Sequence, residues 1–244
     1  MDSGYYAALS GLLARSQALD TAANNLANAS TNGFRAENNF FRDTILGPNA
    51  GNSQLNTVLN DYGVIGGNRV DLQQGQLTAT GNPLDVALQG PGFFEVQAAT
   101  GVRYTRDGSF QRAPDGTLRT SRNERVLSAN GNPIVLPPGP IDIAPDGTIS
   151  VAGGVAGRMA VVDFPAGTEI TPEGATLFRA SAQAARPALN TQVQQGSVEG
   201  SNINVVTGTM QLMLIQRQAE MMQKALSVFY SEFDKTATED LAKV

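Results

Sequence analysis

Histidine and cysteine, the side chains that most often perform nucleophilic and metal chemistry, are both absent from this chain. A Ser/His/Asp triad is therefore impossible, and a Ser/Lys pair would need one of the three lysines, all of which lie beyond residue 223. Disulfides, thiolate metal sites and thiol nucleophiles are excluded too. These absences predict that the protein is not an enzyme of the nucleophilic class.

Carboxylates are the remaining catalytic candidates, because two acids can perform the acid–base work of a glycosidase. Turn chemistry alone explains two of them, since Asp115 and Asp146 each precede a glycine in the near-repeats at 113–118 and 144–149. These isolated Asp-Gly steps lack the ligands of a calcium loop, and residues 63–67 lack phosphate-loop spacing. We therefore predict no metal, cofactor or small-molecule substrate. The five acids in the central region are Glu95, Asp107, Asp115, Asp142 and Asp146.

Arginines crowd the segment 101–125, where six of them face three acids. A solvated sheet face is the favoured interpretation, and a cationic face for an acidic neighbour is the alternative. Nucleic acid is not expected, because exposed aromatic residues are not interleaved with the arginines and the net charge of the whole chain is −5. The arginines are Arg103, Arg106, Arg112, Arg119, Arg122 and Arg125, and the acids are Asp107, Asp115 and Glu124.

Apolar residues at alternating spacings of three and four mark both ends of the chain as helices with a heptad seam. A helix is expected from Asp2 or Ser3 to about Asn28, with a stop at Gly33, and another from about Asn204 to Phe233. The seams predict contacts either between the two helices or with neighbouring subunits, and their location at the two ends favours assembly. The N-terminal seam comprises Tyr5, Leu9, Leu12, Leu19, Ala23 and Leu26; the C-terminal seam comprises Leu212, Ile215, Ala219, Met222, Leu226, Phe229 and Phe233.

Between the helices, short apolar runs separated by glycine and proline turns predict β-structure. The expected class is α+β, with terminal helices that form a coiled-coil-like assembly region around a central, mainly β domain. The boundaries expected are an N-terminal helix at 1–34, an extended connector at 35–82, the β domain at 83–190, and a linker with the C-terminal helix at 191–244. No cleavable signal peptide and no membrane insertion are expected.

Four sequence motifs resemble those of the bacterial flagellar axial proteins, the subunits of the rod and hook. The first runs from Ala23 to Phe34, the second joins 85–88 to 92–94, the third spans 104–110, and the fourth spans 199–205. They occur in the order typical of that family and cover most of the chain. The motif residues are Asn24, Asn25, Leu26, Asn28, Gly33, Phe34, Gly92, Phe93, Phe94, Asp107, Gly108, Ser109, Phe110, Gly200, Ser201 and Asn202.

The resemblance implies a non-enzymatic subunit of the proximal rod, which spans the periplasm and transmits torque. It further implies export through the flagellar type III apparatus without a cleavable signal, terminal helices packed against those of proximal and distal rod subunits, and an outward-facing β domain. A distal-rod subunit is the first alternative. The chain departs from the family pattern at Thr207-Gly208-Thr209, where acidic residues are usual. A glycine at this position is expected to weaken the start of the last helix by about 1 kcal/mol.

Two alternatives come from other functional classes. One is a secreted cell-wall hydrolase with helical attachment arms, which rests on the acids of the β region. The other is an outer-surface adhesin, for which no binding face is evident in the sequence.

Overall fold

The computed structural model of the chain describes residues 2–42 and 64–241. These residues divide into a helical unit, formed by 2–26, 37–42, 64–69 and 205–241, and a β unit, formed by 27–36 and 70–204. The backbone therefore passes between the two units at four points. The α+β class, with a helix at each end and a mainly β region between them, is confirmed.

The helical unit contains two long helices and a two-stranded sheet. Helix α1 spans Asp2–Ala27 and α2 spans Val205–Leu241, while β1, Glu37–Arg42, pairs with β2, Val64–Val70. Helix α2 includes Gly208 and ends eight residues beyond the predicted Phe233. The weakening of its start by Gly208 stays a prediction. No helix within the described ranges is long and apolar enough to cross a membrane.

Small residues on α1 form its contact with α2. Ala14, Ala18 and Ala22 are spaced by four residues and lie on one side of the helix, where all three are buried. Ala18 and Ala22 pack in one cluster with Ile215 of α2, and Leu19 and Leu212 lie at its margin. Because an alanine projects little, the two backbones can approach closely along this line.

The β unit is built from short strands in several small sheets around one larger sheet. The larger sheet has the order β14-β15-β6-β5-β9-β8-β7, and β13 joins β5 and β16 off that path. Smaller sheets are β10-β11-β12, β17-β4 and β18-β3. The strands are β3 Leu77–Ala79, β4 Val86–Gln89, β5 Phe93–Ala98, β6 Gly101–Thr105, β7 Phe110–Arg112, β8 Leu118–Thr120, β9 Arg125–Val126, β10 Ile141–Ile143, β11 Thr148–Val151, β12 Gly154–Arg158, β13 Val161–Asp163, β14 Thr171–Pro172, β15 Leu177–Arg179, β16 Arg186–Pro187, β17 Gln192–Gln195 and β18 Ser197–Glu199.

The two near-repeats form the same turn. In the first, the Gly116 N–H donates to the Ala113 carbonyl over 2.9 Å, and in the second the Gly147 N–H donates to the Ala144 carbonyl over 2.9 Å. The carboxylates of Asp115 and Asp146 each accept the N–H two residues later, over 3.0 Å. Both glycines have a positive φ, which explains the Asp-Gly pairs. The two acids are therefore turn residues.

Two apolar clusters fill the β unit. The larger contains Val86, Leu88, Phe94 and Phe110, with the Phe94 and Phe110 rings edge to face at 5.1 Å. The smaller contains Phe93, Tyr104 and Phe178, to which the half-buried Phe164 adds a ring 4.8 Å from that of Tyr104. Consecutive residues on β5 face opposite sides of the sheet, so Phe93 and Phe94 contribute to different clusters.

Candidate functional site: the motif junction and the helix faces

Residues within or directly after three of the four motifs converge at one place in the β unit, which we call the motif junction. Its members are Gly33, Arg35, Arg106, Glu199 and Asn202, and the segments that bear them are separated by up to 169 positions in the sequence. The segments that bear Gly33, Arg35, Glu199 and Asn202 lie next to points at which the chain passes between the units. Arg106 lies in the interior of the β unit.

The centre of the junction is a buried group of two arginines and one glutamate. The Arg35 guanidinium donates to Oε1 of Glu199, and Nη1 of Arg106 donates to Oε2 of the same carboxylate over 3.0 Å. The Glu199 and Arg35 side chains are completely buried, and that of Arg106 is 3% exposed. Because a buried charge is costly unless it is paired, Glu199 is the group that makes both buried arginines tolerable.

Further bonds hold Glu199 in place. Its Oε1 accepts the Gly75 N–H over 2.9 Å, and its backbone carbonyl accepts the Gly33 N–H over 2.8 Å. Nη2 of Arg106 donates to the Gly90 carbonyl over 2.7 Å, and its guanidinium carbon lies 5.4 Å from the centre of the Phe93 ring. The Gly92-Phe93-Phe94 motif therefore contributes a cation–π contact as well as core packing.

Electrostatics in the junction follow from burial. Burial lowers the pKa of Arg106 to about 10, against the opposing effect of Glu199, and the nearby Arg35 lowers it further. Burial also raises the pKa of Asp107, whose carboxylate accepts the Ser109 N–H over 3.0 Å. Both shifts have the same origin, since removal from water disfavours the charged form.

Asn202 joins three segments of backbone. Its Oδ1 accepts the Ala36 N–H over 2.8 Å, and its Nδ2 donates to the carbonyls of Asp71 and Gln73 over 3.1 and 3.2 Å. The Asp71 N–H in turn donates to the Ala36 carbonyl over 2.8 Å. One amide side chain thus fixes the backbone next to three of the four points at which the chain leaves the β unit.

Gly33 allows the first motif to approach the third. Its φ is +70°, and a Cβ added there would lie 2.2 Å from the backbone nitrogen of Asp107. Beside it, Asn32 donates to the Ser109 hydroxyl over 3.1 Å. Only glycine has both the backbone freedom and the lack of a side chain that this contact requires.

The remaining motif residues have structural contacts of their own. Phe34 and Phe110 are buried, the Gly108 carbonyl accepts the Val86 N–H over 3.0 Å, and Gly200 donates to the Gln76 carbonyl over 2.9 Å. The Ser201 hydroxyl accepts the Ile203 N–H over 3.2 Å.

The asparagine side chains of the first motif form hydrogen bonds outside the junction. In the helical unit, the Asn25 amide exchanges two hydrogen bonds with the Glu37 backbone, over 2.8 and 2.9 Å, and so holds the start of β1 beside α1. The Asn28 side chain accepts the Thr31 hydroxyl over 3.2 Å just beyond α1. Asn24 also takes part in an interaction, and Leu26 is half-buried in α1.

The N-terminal seam does not coincide with the buried side of α1. Leu9, Leu12, Leu19 and Leu26 are half-buried and Ala23 is exposed, whereas Gly11 and the three alanines are buried. At about 100° per residue, the centre of the seam is rotated by roughly 130° from that buried line. The side chain of Tyr5 lies outside the described residues. Whether this seam contacts other subunits remains a prediction.

The C-terminal seam includes the buried side of α2. Ile215 and Leu226 are each 9% exposed, and Leu212, Ala219 and Met222 are half-buried. Ile215 and Leu212 pack against α1, so this part of the seam forms a contact within one chain. The side chains of Phe229 and Phe233 lie outside the described residues.

A second apolar face runs along α2. Its six members are between 58% and 67% exposed. At about 100° per residue, the face lies roughly opposite the C-terminal seam. We call it the second face of α2; it consists of Val206, Met210, Met213, Leu214, Met221 and Val228.

Sequence reasoning did not select the three charged residues at the centre of the junction as site residues. The arginine pattern in 101–125 predicts that Arg106 lies on a solvated or cationic face, and this prediction is wrong because Arg106 is buried. A usable signal was present, since Arg35, Arg106 and Glu199 each lie within or directly after a glycine-containing motif. The described residues contain no cluster of three or more potential metal ligands.

Comparison with known proteins places these features in one family. Three family models match: "Flagella basal body rod protein" at residues 6–35, "Flagellar hook protein FlgE/F/G D1 domain" at 87–151 and "Flagellar basal body rod FlgEFG protein C-terminal" at 194–236. The flagellar basal-body rod protein FlgF of Caulobacter vibrioides is 35% identical over the full length of both chains. FlgF of Escherichia coli is 39% identical over 93% of this chain and 94% of its own.

Similarity also extends to FlgG proteins. The flagellar basal-body rod protein FlgG of Buchnera aphidicola subsp. Schizaphis graminum is 32% identical over 89% of this chain and 92% of its own. The terminal helices, the β unit and the matches to three family models together define a structural, non-enzymatic protein of the flagellar axial class. Within this class, the chain belongs to the FlgF family of flagellar basal-body rod proteins. The hydrolase alternative is accordingly set aside.

Proposed function

We propose that the chain is a structural subunit of the proximal rod, which assembles with neighbouring rod subunits through its terminal helices and transmits torque. The observation that carries this proposal is the second face of α2, an apolar surface on a helix whose opposite side already packs against α1. Its members follow one another at spacings of four, three, one, seven and seven residues and so lie on one side of the helix, as expected for a helix that packs against other helices.

In an isolated chain the six apolar side chains of the second face are exposed to water, which is unfavourable in free energy. Fully burying a side chain of this size yields about 1.5–3 kcal/mol, so a neighbouring helix on the face would be strongly favoured. Three of the six residues are methionines, whose flexible thioether side chains adapt to differently shaped partners. This composition suits a subunit that contacts rod proteins other than its own copies.

In the proposed assembly, one face of α2 forms the contact within the chain and the other forms contacts with neighbouring subunits. The C-terminal seam, with Ile215 at its centre, holds α1 and α2 together within a chain. The second face of α2 and the half-buried leucines of the N-terminal seam are left for neighbouring subunits. This division refines the expectation from the sequence, which assigned both seams to assembly.

The motif junction has a mechanical role in this proposal. The backbone connects the two units at the crossings 26/27, 36/37, 69/70 and 204/205, and torque would pass along these crossings. Asn202 and Glu199 bond the backbone beside three of these crossings to one another. A junction of this kind would limit how far each crossing can twist independently.

Location follows from the same proposal. The subunit would lie in the part of the basal body that spans the periplasm, and it would reach that place unfolded through the flagellar type III export apparatus. Family membership supports this route. Detection of the subunit in purified basal bodies from wild-type cells, and its loss from the periplasmic side in an export-deficient strain, would test it.

A substitution on the second face of α2 tests the assembly proposal directly. Met213→Asp places a charge at the centre of the face, so we expect loss of swimming and of rod assembly, while the purified variant keeps the helical and β signals of the wild type in circular dichroism. Gln216→Asp is the matched control, because Gln216 is exposed on the same helix but lies off the face. Normal swimming of the Met213→Asp strain would refute assembly through this face.

A further inference from the structure

The C-terminal end of the β unit pairs with strands from the beginning of the same unit. We call residues 192–202 the strap; it contains β17, β18 and the first residues of the fourth motif. Strand β17 pairs antiparallel with β4, and β18 pairs antiparallel with β3. In the described part of the chain, β3 and β4 each belong to a two-stranded sheet whose other member is a strand of the strap. Without the strap, both strands would lose this partner.

The strap is buried although it lies near the end of the unit. Ser197, Val198 and Glu199 are consecutive and all buried, so both sides of β18 are covered. Val193 lies opposite Leu88 and belongs with it to the larger apolar cluster. Removal of the strap would therefore expose apolar side chains of the core as well as unpaired strands.

Polar side chains of the strap join it to other parts of the unit. The Gln195 amide donates to the carbonyls of Pro83 and Ile141 over 2.9 and 3.1 Å. Glu199 pairs with both arginines of the motif junction, and Asn202 bonds the backbone beside three crossings. A β unit without the strap would thus contain two buried guanidinium groups that lack their carboxylate, which is strongly unfavourable.

Separation along the chain determines when these contacts can form. Two residues join β5 to β6, and two join β11 to β12. In contrast, residues 90–191 separate β4 from β17, and residues 80–196 separate β3 from β18. The entropic cost of closing a loop grows with its length, and non-local strand pairs form slowly. The contacts of the strap are therefore expected to form after those of the local hairpins.

We propose that docking of the strap is the last step in the folding of the β unit, so that the unit stays open until the C-terminal part of the chain is present. Glu199 follows Arg35 by 164 positions, which at ordinary rates of synthesis is a delay of about 8–30 s. Throughout this delay, the chain cannot complete the motif junction.

An open chain is the form that an export apparatus for unfolded subunits can carry. Late docking of the strap would keep the nascent chain in this form without a separate binding protein. This consequence rests on the proposed function, because it assumes the export route. The order of folding does not rest on it and can be measured on the purified full chain.

Refolding of the full chain from urea, followed by β-sheet circular dichroism, tests the order of folding. Val193→Ala removes a buried side chain of the strap, and Val96→Ala is the matched control in the same apolar cluster but on β5. We expect Val193→Ala to speed unfolding about tenfold while the refolding rate stays within about twofold of the wild type. Val96→Ala should slow refolding several-fold. Equal slowing of refolding by the two variants would overturn the inference.

Pulse-labelling hydrogen exchange on the refolding wild type provides a second criterion that needs no variant. The Gly33 and Gly75 amides donate to Glu199 and report docking of the strap, whereas the Ala144 amide donates to the Thr148 carbonyl in the local β10–β11 hairpin. We expect the two glycine amides to gain protection about tenfold later than Ala144. Simultaneous protection of all three amides would overturn late docking.

Neither measurement uses assembled rods, so the inference and the proposed function can fail separately. Late docking of the strap, together with normal swimming of the Met213→Asp strain, would refute the proposed assembly and support the inference. Early docking, together with loss of swimming in that strain, would overturn the inference and support the proposed assembly.

Discussion

Nη1 of Arg106 lies 3.0 Å from Oε2 of Glu199, although the two residues are separated by 93 positions in the sequence and both are buried. The same carboxylate receives a bond from Arg35, which is 164 positions from Glu199 in the sequence. The third and fourth motifs and the residue directly after the first therefore meet on one carboxylate. Widely separated short segments of the chain thus form one structural junction.

Glu199→Gln should destabilise the β unit strongly. The amide is nearly isosteric with the carboxylate but leaves two buried guanidinium groups without a counter-charge, so we expect a loss of about 3–5 kcal/mol in the free energy of unfolding. Urea unfolding followed by β-sheet circular dichroism measures it. Asp115→Asn, which breaks the more exposed pair with Arg119, should destabilise the β unit far less, because solvent screens an exposed pair. Similar losses for the two variants would contradict the role assigned to Glu199.

Gly33→Ala should be far more harmful than Gly81→Ala. The two glycines have φ values of +70° and +75°, so the backbone penalty of about 1–2 kcal/mol is shared. Only at Gly33 would the new Cβ collide, 2.2 Å from the Asp107 nitrogen, whereas nothing lies within 4 Å at Gly81. We expect an additional loss of about 2 kcal/mol or more for Gly33→Ala in thermal or urea unfolding. Equal losses for Gly33→Ala and Gly81→Ala would show that the backbone near Asp107 can move to accommodate the new Cβ at little cost in free energy.

Asn202→Asp separates the acceptor role of this side chain from its donor role. The carboxylate can still accept the Ala36 N–H, but it cannot donate to the carbonyls of Asp71 and Gln73. We expect a loss of about 1–3 kcal/mol and faster hydrogen exchange at the Asp71 amide. Asn82→Asp, in an exposed turn, provides the comparison. An unchanged exchange rate at Asp71 would mean that Asn202 does not hold this crossing.

Two carboxyl groups should give pH dependences of opposite sign. Burial raises the pKa of Glu95, so its contribution to stability is full below the unfolded pKa near 4.5 and is lost as pH rises. Glu95→Gln should therefore gain stability relative to the wild type as pH increases from about 4. Hydrogen bonds from Thr117 lower the pKa of Asp115 from 3.8 to about 2, so Asp115→Asn should lose its disadvantage as pH falls through that range. Unfolding curves between pH 2 and 7 would show both slopes, and parallel curves for the two variants and the wild type would contradict the assignment.

Ala18→Leu tests the close contact of α1 with α2. Ala18 is 7% exposed and packs against Ile215, so a larger side chain should separate the helices at a cost of about 1–3 kcal/mol. Ala23→Leu is the matched control, since Ala23 is exposed on the same helix. Helical circular dichroism during thermal unfolding distinguishes the two. A lower midpoint for Ala23→Leu than for Ala18→Leu would show that the seam, and not the alanine line, contacts α2.

The local structure of several segments could be predicted because nearby residues decide it. The α1 helix ends within one residue of the expected position, since Asn28, Thr31 and Gly33 compete with or stop a helix whatever lies around them. The two Asp-Gly turns form as expected for the same reason. The non-enzymatic character that the family resemblance implies is confirmed by membership of the FlgF family.

Tertiary structure decided which side of each helix is buried and which charges lie inside. A heptad pattern identifies apolar residues, but the partner available to α1 is a helix that approaches closely, and close approach favours Ala18 and Ala22 over the leucines. Nothing in the local sequence distinguishes Arg106 from the exposed arginines near it. Its charge can be buried because it is paired with Glu199, which is distant in the sequence. Spacing along the chain carries information about local periodicity, whereas burial of a charge depends on partners that folding alone brings together.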